Sequence, residues 1–347
     1  MIFRQMFDRT SCTYTYLLAS RAGGEALLVD PVLDHVDRYV TLLAELDLRL
    51  VKAVDTHVHA DHITGLGALR DRTSCITVMG KESSVDVVSM RVTEGETITV
   101  EGLSLDVIYT PGHTSDSYSF RLSDRVFTGD TLLIRGTGRT DFQNGDARAQ
   151  YDSLFNKLLR LPDETLVYPA HDYNGNTVST IAEERAHNPR LQVDSVDQYV
   201  EIMASLDLPD PKMMDVAVPA NQHIGLPGAC DPNAPGALTA TDGRALIGRP
   251  DVLFVDLRED AERARNGFIP GSLHIPYPQF CAALGPHGAL HRAVASRDSE
   301  LVLYCAYGER SAMALSEAWN MGIGRARHLT GGMDAWLTED GPVETVQ

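Results

Sequence analysis

The sequence predicts two α/β domains in tandem: a layered α/β sandwich and then a parallel sheet covered on both faces. Three observations predict this. The chain has 347 residues, more than one core normally serves at roughly 100 to 200 residues per domain. Its first part places apolar, strand-like runs in two clusters with helical stretches outside them, whereas its last third alternates strand and helix. Between about Pro209 and Arg249 the composition shifts to Pro, Gly, Ala and Asp with little periodicity, which reads as a linker.

Taken in order, YTYLLAS and EALLVD read as hairpin-like strands, His35 to Leu46 has helical spacing (Val36, Val40, Leu43), and LVKAVDT is a buried strand. CITVMG, LSLDVIYT, DSYSFRL and RVFTGD follow as strands. Helical patterns return at Ala149 to Leu161 and Thr177 to Ala186, around the apolar run TLVYPAH. Past the linker come the strand DVLFVDLRE, a helix over Asp260 to Asn266, the strand ELVLYC and a helix over Ser311 to Met321.

Composition narrows the function classes. Hydrophobic residues make up 43% and charged residues 22%, which is globular and excludes disordered, collagenous and disulfide-knot proteins. The 30 basic and 48 acidic residues leave a formal charge of −18, a field that repels nucleic acid. The start, MIFRQMFDRTSC, has neither a secretory nor an Arg-rich transit pattern, and no apolar run is long enough to span a membrane. The five cysteines (Cys12, Cys75, Cys230, Cys281, Cys305) are scattered without close pairs, which fits a reducing cytoplasm. A homodimer is left open.

The densest chemistry is Thr56-His57-Val58-His59-Ala60-Asp61-His62, directly after a strand. Side chains at i and i+2 of an extended segment point the same way, so His57 and His59 can converge. His113 in TPGHTSDS, Asp130 in FTGD and His171 in YPAHD each end an apolar run. Imidazoles and carboxylates gathered at strand ends are what a metal centre needs, because neutral nitrogen and hard oxygen suit Zn, Fe or Mn. Burying so many polar groups without a cation would be costly. The isolated histidines His35, His187, His287 and His328 read as satisfied or exposed polar residues.

On these residues the chain resembles the metallo-β-lactamase superfamily. That fold serves many reactions, and spacing alone favours a dinuclear zinc hydrolase: His57, His59 and His113 on one ion, Asp61, His62 and His171 on the other, Asp130 bridging. Narrower features shift the choice. Gly136-Thr137-Gly138-Arg139-Thr140-Asp141-Phe142-Gln143, His171-Asp172-Tyr173 and the stretch PKMMDVAVPAN (Pro211 to Asn221) resemble the persulfide dioxygenase family over nearly all of residues 1 to 228. The helical glutathione-binding domain that follows the same motif in glyoxalase II enzymes is not found here. The resemblance implies one Fe(II) per chain held by His57, His113 and Asp130, with His59, Asp61, His62 and His171 orienting the ligands or holding water. Two imidazoles and one carboxylate on one face of iron leave three adjacent positions open for a persulfide sulfur and O2. Arg139, after two nearby glycines, has the planar fork to take a glutathione carboxylate, and Tyr173 can close the same pocket.

In the last third, Leu301 to Tyr304 end in Cys305, followed by Ala306-Tyr307-Gly308-Glu309-Arg310 and a helix opening at Ser311. A thiol between a buried strand and a helix N-terminus faces backbone N–H groups and a positive dipole end, which favours the reactive thiolate. VDLRE, GFIPGSLHIP, the Cys305 to Arg310 loop and LTGGMDAW resemble, in that order, a single-domain rhodanese. The loop is one residue shorter than that of a cysteine phosphatase, so the resemblance implies a cradle for a Cys305 persulfide rather than a phosphate. Ala306 stands where many rhodaneses carry a basic residue. Arg310 is then the principal anion contact or a brace for the loop, and Asp256 with Arg258 a structural ion pair.

Together the resemblances imply a metallo-β-lactamase αββα sandwich (1–228), a linker (229–237) and a rhodanese-like, doubly wound parallel-sheet domain (238–347). The expected enzyme is a persulfide dioxygenase and thiosulfate sulfurtransferase. Its expected small molecules are glutathione persulfide, O2, thiosulfate, sulfite and glutathione as co-substrate, with no nucleic acid or membrane partner. The alternative is a dinuclear zinc thioesterase of the glyoxalase II type with an accessory rhodanese.

Overall fold

The computed structural model describes residues 1–208, 213–295 and 299–345. The chain forms two compact units, Met1–Asp86 with Arg91–Ile224, and Val87–Met90 with Gly225–Gln347.

In the first unit, β1 (Ile2–Phe7), β2 (Tyr14–Ala19) and β3 (Glu25–Val29) pair antiparallel. β4 (Arg49–Val54) and β5 (Ile76–Gly80) then add in parallel, and β6 (Met90–Val92) completes the order β1-β2-β3-β4-β5-β6. Parallel joins need crossovers; α1 (Val36–Glu45) makes one and α2 (Leu66–Thr73) the other. α1 buries Val36, Tyr39 and Leu43, a stripe at helical spacing turned to the sheet.

The second sheet contains β7 (Thr97–Val100), β8 (Leu103–Tyr109), β9 (Tyr118–Arg121) and β10 (Arg125–Gly129). After the small ribbon of β11 (Leu132–Leu133) and β12 (Gly136–Thr137) it gains β13 (Leu166–Pro169) and β14 (Ser179–Thr180), in the order β14-β13-β10-β9-β8-β7. The sheets meet face to face through aromatic rings: Tyr16 of β2 lies 4.9 Å from Phe127 of β10 and 5.6 Å from Tyr168 of β13. Outside the second sheet, Val126 and Val167 pack under Leu154, Leu158, Ile181 and Tyr199. Each such buried side chain contributes about 1.5–3 kcal/mol. The result is an αββα sandwich.

Those outer residues come from α3 (Ala147–Asp152), which continues as a π turn over Ser153–Lys157 and a 3-10 turn over Leu158–Arg160, and from α4 (Ile181–His187) and α5 (Val196–Ala204). The helix expected from Ala149 starts at Ala147, because the Asp146 carboxylate caps the N–H groups of Arg148 and Ala149. The one expected from Thr177 starts at Ile181: Thr180 is its extended N-cap, and Ser179–Thr180 belong to the sheet edge.

The region expected as linker is more ordered than its composition suggests. It holds α6 (Met214–Gln222), with Pro219 inside, and further on β15 (Ala237–Leu238) and α7 (Ala240–Arg244). Pro209 to Lys212, and with them the start of PKMMDVAVPAN, lie outside the described residues.

The second unit is built on an all-parallel sheet of β15, β16 (Val252–Asp256), β17 (Leu273–His274), β18 (Glu300–Tyr304) and β19 (Ala326–Leu329), in the order β15-β19-β18-β16-β17. One face carries Phe254, Val302 and Tyr304 packed with Leu238, Met333 and Trp336, with α7 and the helix Gly332–Thr338 above it. The helix Glu309–Asn320 packs on β18 and β19 from the other side, next to Tyr277–Leu284. Helices on both faces make it doubly wound. Cys305 lies between β18 and the helix Glu309–Asn320.

Candidate metal centre and thiol loop

Every histidine and aspartate of the candidate centre follows a strand of the first unit. His57, His59, Asp61 and His62 come after β4, His113 after β8, Asp130 after β10 and His171 after β13. The loops are brought close by Gly138, where a Cβ would stand 2.2 Å from the Asp130 carbonyl oxygen and 2.8 Å from the His113 ring. The ring centroids of His57 and His113 are 5.0 Å apart, and His113 Nε2 is 3.6 Å from Asp130 Oδ2. His57, His113 and Asp130 each offer one ligand atom, all within 4.8 Å of one another.

Hydrogen bonds decide which atoms of these residues remain available. His113 Nδ1 lies 2.7 Å from the Arg139 carbonyl, so it carries the proton and leaves Nε2 with its lone pair. Asp30 accepts from the Thr56 N–H at 2.7 Å and from its hydroxyl at 3.1 Å, and that hydroxyl oxygen lies 3.0 Å from His57 Nδ1. The same reasoning leaves His57 Nε2 bare. Burial, with His59 and His113 beside it, keeps His57 neutral by holding its pKa well below the ordinary imidazole value.

His171 behaves differently. Its Nδ1 is 2.7 Å from Asp130 Oδ1 and its Nε2 2.8 Å from Asp61 Oδ2. Burial opposes a charge there, yet the two carboxylates win and push its pKa well above the ordinary value. A carboxylate on each nitrogen favours the imidazolium form of His171, which can donate to both. Burial would raise Asp130, but His171, and after it His113 and His57, keep the carboxylate ionised and its pKa lowered. Asp61 Oδ2 also accepts from Thr13 and His62, at 3.1 and 3.0 Å.

His59 Nε2 is 3.2 Å from Asp30 Oδ1; despite burial, that carboxylate raises the imidazole pKa to about 9. His59 Nδ1 and His62 Nε2 are buried without a hydrogen-bond partner. His59, Asp61 and His62 make a second group of potential ligands among the described residues, and Asp30, Asp55 and His59 a third.

Of the expected substrate contacts, Tyr173 is 68% exposed and stacks on His171 with ring centroids 6.0 Å apart. The Arg139 fork is engaged by Asp141 through two contacts of 2.6 Å, and its guanidinium lies 3.9 Å over the Phe142 ring.

Sequence reasoning assigned no role to Asn221. It is buried in α6, donates to the His59 and His62 carbonyls at 2.9 Å each, and accepts from the Thr64 N–H at 2.9 Å. Its signal was the PKMMDVAVPAN resemblance. Thr13, whose hydroxyl touches Asp61, His62 and His171, had no such signal.

In the second unit Cys305 is fully buried, and the Gly308 N–H donates to its Sγ at 3.2 Å. Gly308 sits at φ +94°, and a Cβ there would come within 2.6 Å of the Ala229 carbonyl oxygen, so the turn requires glycine. Arg310 is buried with Nη1 and Nη2 on Glu262 at 2.7 and 2.6 Å, while its Nε has no partner. Its terminal nitrogens brace the loop. Asp256 and Arg258 form the expected buried ion pair, at 2.6 and 2.9 Å. Cys281 donates to Glu317, and burial together with that carboxylate pushes its thiol up to about 12.

Two histidines and a carboxylate able to share a metal ion on an αββα sandwich, with a strand-end thiol on a doubly wound sheet, define the class: a metal-binding α/β sandwich with an appended sulfur-transfer domain. Sequence comparison agrees. Residues 12–87 and 82–171 match the metallo-beta-lactamase superfamily, and residues 239–339 a rhodanese-like domain. The mitochondrial persulfide dioxygenase ETHE1 of Mus musculus is 47% identical over 229 residues, 65% of this chain and 89% of that protein. The crystal structure of ETHE1 from Myxococcus xanthus is 55% identical, covering 64% of this chain and 98% of its own, with a TM-score of 0.63. A metallo-beta-lactamase from Staphylococcus aureus shares the fold over 95% of this chain and 98% of its own, at 22% identity and a TM-score of 0.60. The chain belongs to the persulfide dioxygenase family and is an enzyme in which that dioxygenase is fused to a rhodanese-type sulfurtransferase. No helix among the described residues is long and apolar enough to cross a membrane.

Proposed function

We propose that the chain is a bifunctional enzyme of sulfur metabolism. One Fe(II) on His57, His113 and Asp130 serves the oxidation of glutathione persulfide by O2, and Cys305 carries sulfane sulfur between thiosulfate and glutathione. In the first reaction GSSH, O2 and H2O give GSH, sulfite and two protons; the sulfane sulfur loses four electrons and O2 gains them. We take residues 1–228 as the dioxygenase domain, 229–237 as the linker and 238–347 as the rhodanese domain. The setting is a reducing cytoplasm, in keeping with five free cysteines.

The observation that carries this reading is the contrast between the three bare ligand atoms and His171, whose nitrogens both face carboxylates. The donor set fits a ferrous ion: two imidazoles and one ionised carboxylate, each oriented by a hydrogen bond behind it. A ferrous ion held by these residues would supply binding and redox chemistry for the sulfur donor and dioxygen. The protein does the rest. Thr56 and Arg139 fix the tautomers of His57 and His113, and His171 holds Asp130 ionised and oriented through Oδ1. Tyr173 stands at the entrance to meet the glutathione part. Arg139 can take a glutathione carboxylate in exchange for Asp141, its present bidentate partner.

At the thiol, Cys305 attacks thiosulfate, sulfite leaves, and the Cys305 persulfide passes its outer sulfur to glutathione. The Gly308 N–H and the unengaged Arg310 Nε–H are the donors we assign to the sulfur and its anion. The product of one domain is then the reagent of the other, in whichever direction the pools dictate. Metal analysis and an oxygen electrode test the reading. About one iron per chain with O2 uptake on glutathione persulfide supports it. About two zincs with thioester hydrolysis and no O2 uptake overturns it in favour of the glyoxalase II-type alternative.

A further inference from the structure

His328 lies outside both groups of residues assigned above, yet it stands two contacts from the Cys305 sulfur. It is on β19, in register with Leu303 of β18, two residues before Cys305 and so on the same face of an extended strand. The Cys305 Sγ is 3.7 Å from the Ser311 Oγ, and that oxygen is 3.3 Å from His328 Nδ1 and 2.9 Å from the Gly308 carbonyl. Ser311 is fully buried, and His328 is 2% exposed. A thiol, a hydroxyl and an imidazole thus form one chain from the reactive sulfur into the core.

We infer that His328 is a positioning residue for sulfur transfer: its Nδ1–H donates to the Ser311 hydroxyl, which frees the hydroxyl proton to turn from the Gly308 carbonyl to the Cys305 sulfur when that sulfur becomes anionic. The inference rests on the assignment of Cys305 as the sulfur carrier. In the thiol state Ser311 accepts from the S–H and from His328 and donates to Gly308. In the thiolate or persulfide state it still accepts from His328 and donates to sulfur; the thiol proton has left to solvent, and no other group changes charge. Without His328 the hydroxyl oxygen has no donor behind it in the anionic state, and a buried chain of hydrogen bonds loses the cooperative strengthening of its end. Burial supports a neutral imidazole here, lowering its pKa to about 4. A neutral ring can keep its proton on Nδ1 throughout the working range.

Other polar groups around the loop have partners of their own: Arg310 holds Glu262, Glu309 accepts from Ser89 and from the Leu226 N–H, and the Cys230 thiol donates to the Tyr307 carbonyl. None of these contacts uses the Ser311 hydroxyl.

The test follows Cys305 ionisation in the full chain, read at each pH as thiolate ultraviolet absorbance in excess of a Cys305→Ser control, together with thiosulfate:cyanide kinetics. In His328→Leu the ionisation midpoint should rise by about one pH unit, with an about tenfold loss of kcat below the midpoint and KM unchanged. Ser311→Ala should do the same, and the double variant no more. His328→Asn, which keeps an N–H near the Nδ1 position, should recover to within a factor of about three in kcat. A midpoint unchanged in His328→Leu, or an Asn variant as impaired as the Leu variant, would overturn the inference. If His328→Leu does not fold, a Ser311→Ala midpoint equal to that of the parent does the same. Loss of transfer in Cys305→Ser tests the carrier assignment separately, since the midpoint shift is read without turnover.

Discussion

Replacing Asn221 by alanine should loosen the loop that carries His57, His59 and His62, although Asn221 is 164 positions beyond His57 in the sequence. The side chain satisfies three backbone groups at once: the carbonyls of His59 and His62 and the N–H of Thr64, each at 2.9 Å. Asn221 is 2% exposed, and His59, His62 and Thr64 are buried with it, so water does not readily replace the lost partner. A buried polar group left unpaired costs about 1 kcal/mol or more, so three together cost roughly 3 to 4 kcal/mol. In a unit of this size each kcal/mol lowers Tm by about 2–4 °C, and the transition of the first unit should fall by roughly 10 °C. Asn221→Asp should be at least as damaging, because it keeps an acceptor toward Thr64 but points a carboxylate oxygen at two carbonyls. The assay is thermal unfolding of the full chain with iron content measured in parallel; the Ala variant should also release iron faster to a chelator. An Asn221→Ala protein with parental Tm and parental iron retention would refute the view that α6 clamps the metal-binding loop.

Four further outcomes are expected. Cys305→Ser should abolish thiosulfate:cyanide sulfur transfer while persulfide-dependent O2 uptake persists; loss of both activities would contradict separate sites. Asp130→Asn should remove the one anionic ligand and leave His171 a single carboxylate, so iron per chain should drop far below one, as elemental analysis would show. Glu262→Ala should strand the buried Arg310 guanidinium at a cost of about 3–5 kcal/mol, visible as an earlier denaturant midpoint of the second unit. His328 stays neutral in the folded state down to about pH 4, whereas its unfolded value is 6.5. Between those values only the unfolded state takes up the proton, so stability is lost as pH falls through that window, by about 3 kcal/mol in all. The loss should shrink in His328→Asn, measured as the difference in denaturant midpoint between neutral and acidic buffer.

Much of this protein was legible in its sequence because its chemistry sits where strands end. Strands with continuous burial, such as Tyr14–Ala19 and Ile76–Gly80, announce themselves as apolar runs. The residues after β4, β8, β10 and β13 then become neighbours simply because those strand ends are close in space. What stayed hidden depended on partners distant in sequence. The helix Met214–Gln222 was masked by Pro219 and by a composition that reads as linker, and its Asn221 earns a role only from carbonyls supplied by another loop. Thr13 likewise looks like any strand-start threonine until Asp61, His62 and His171 are folded around it.

The question the motif could not answer is which imidazoles have a lone pair to give. His57, His59, His62, His113 and His171 are the same residue type, and in an extended spacing argument they are interchangeable. Their hydrogen bonds separate His57 and His113 from His171, while His59 Nδ1 and His62 Nε2 stay without a partner. His113 faces a carbonyl and His57 a hydroxyl that is itself turned to Asp30, so each protonates its Nδ1 and keeps Nε2 bare. His171 faces two carboxylates that favour its cationic form, and in that form it has no lone pair to give. On the proposed reading of a single ion on His57, His113 and Asp130, the carboxylates of Asp61 and Asp130 hold the His171 ring by both nitrogens and withhold it from a second ion. Removing this grip tests the logic directly. Asp61→Asn should leave His171 one carboxylate partner and let it revert toward a neutral imidazole, read by NMR of the full chain as a lower His171 pKa than in the parent; an unchanged value would show that Asp61 does not hold the ring as a cation.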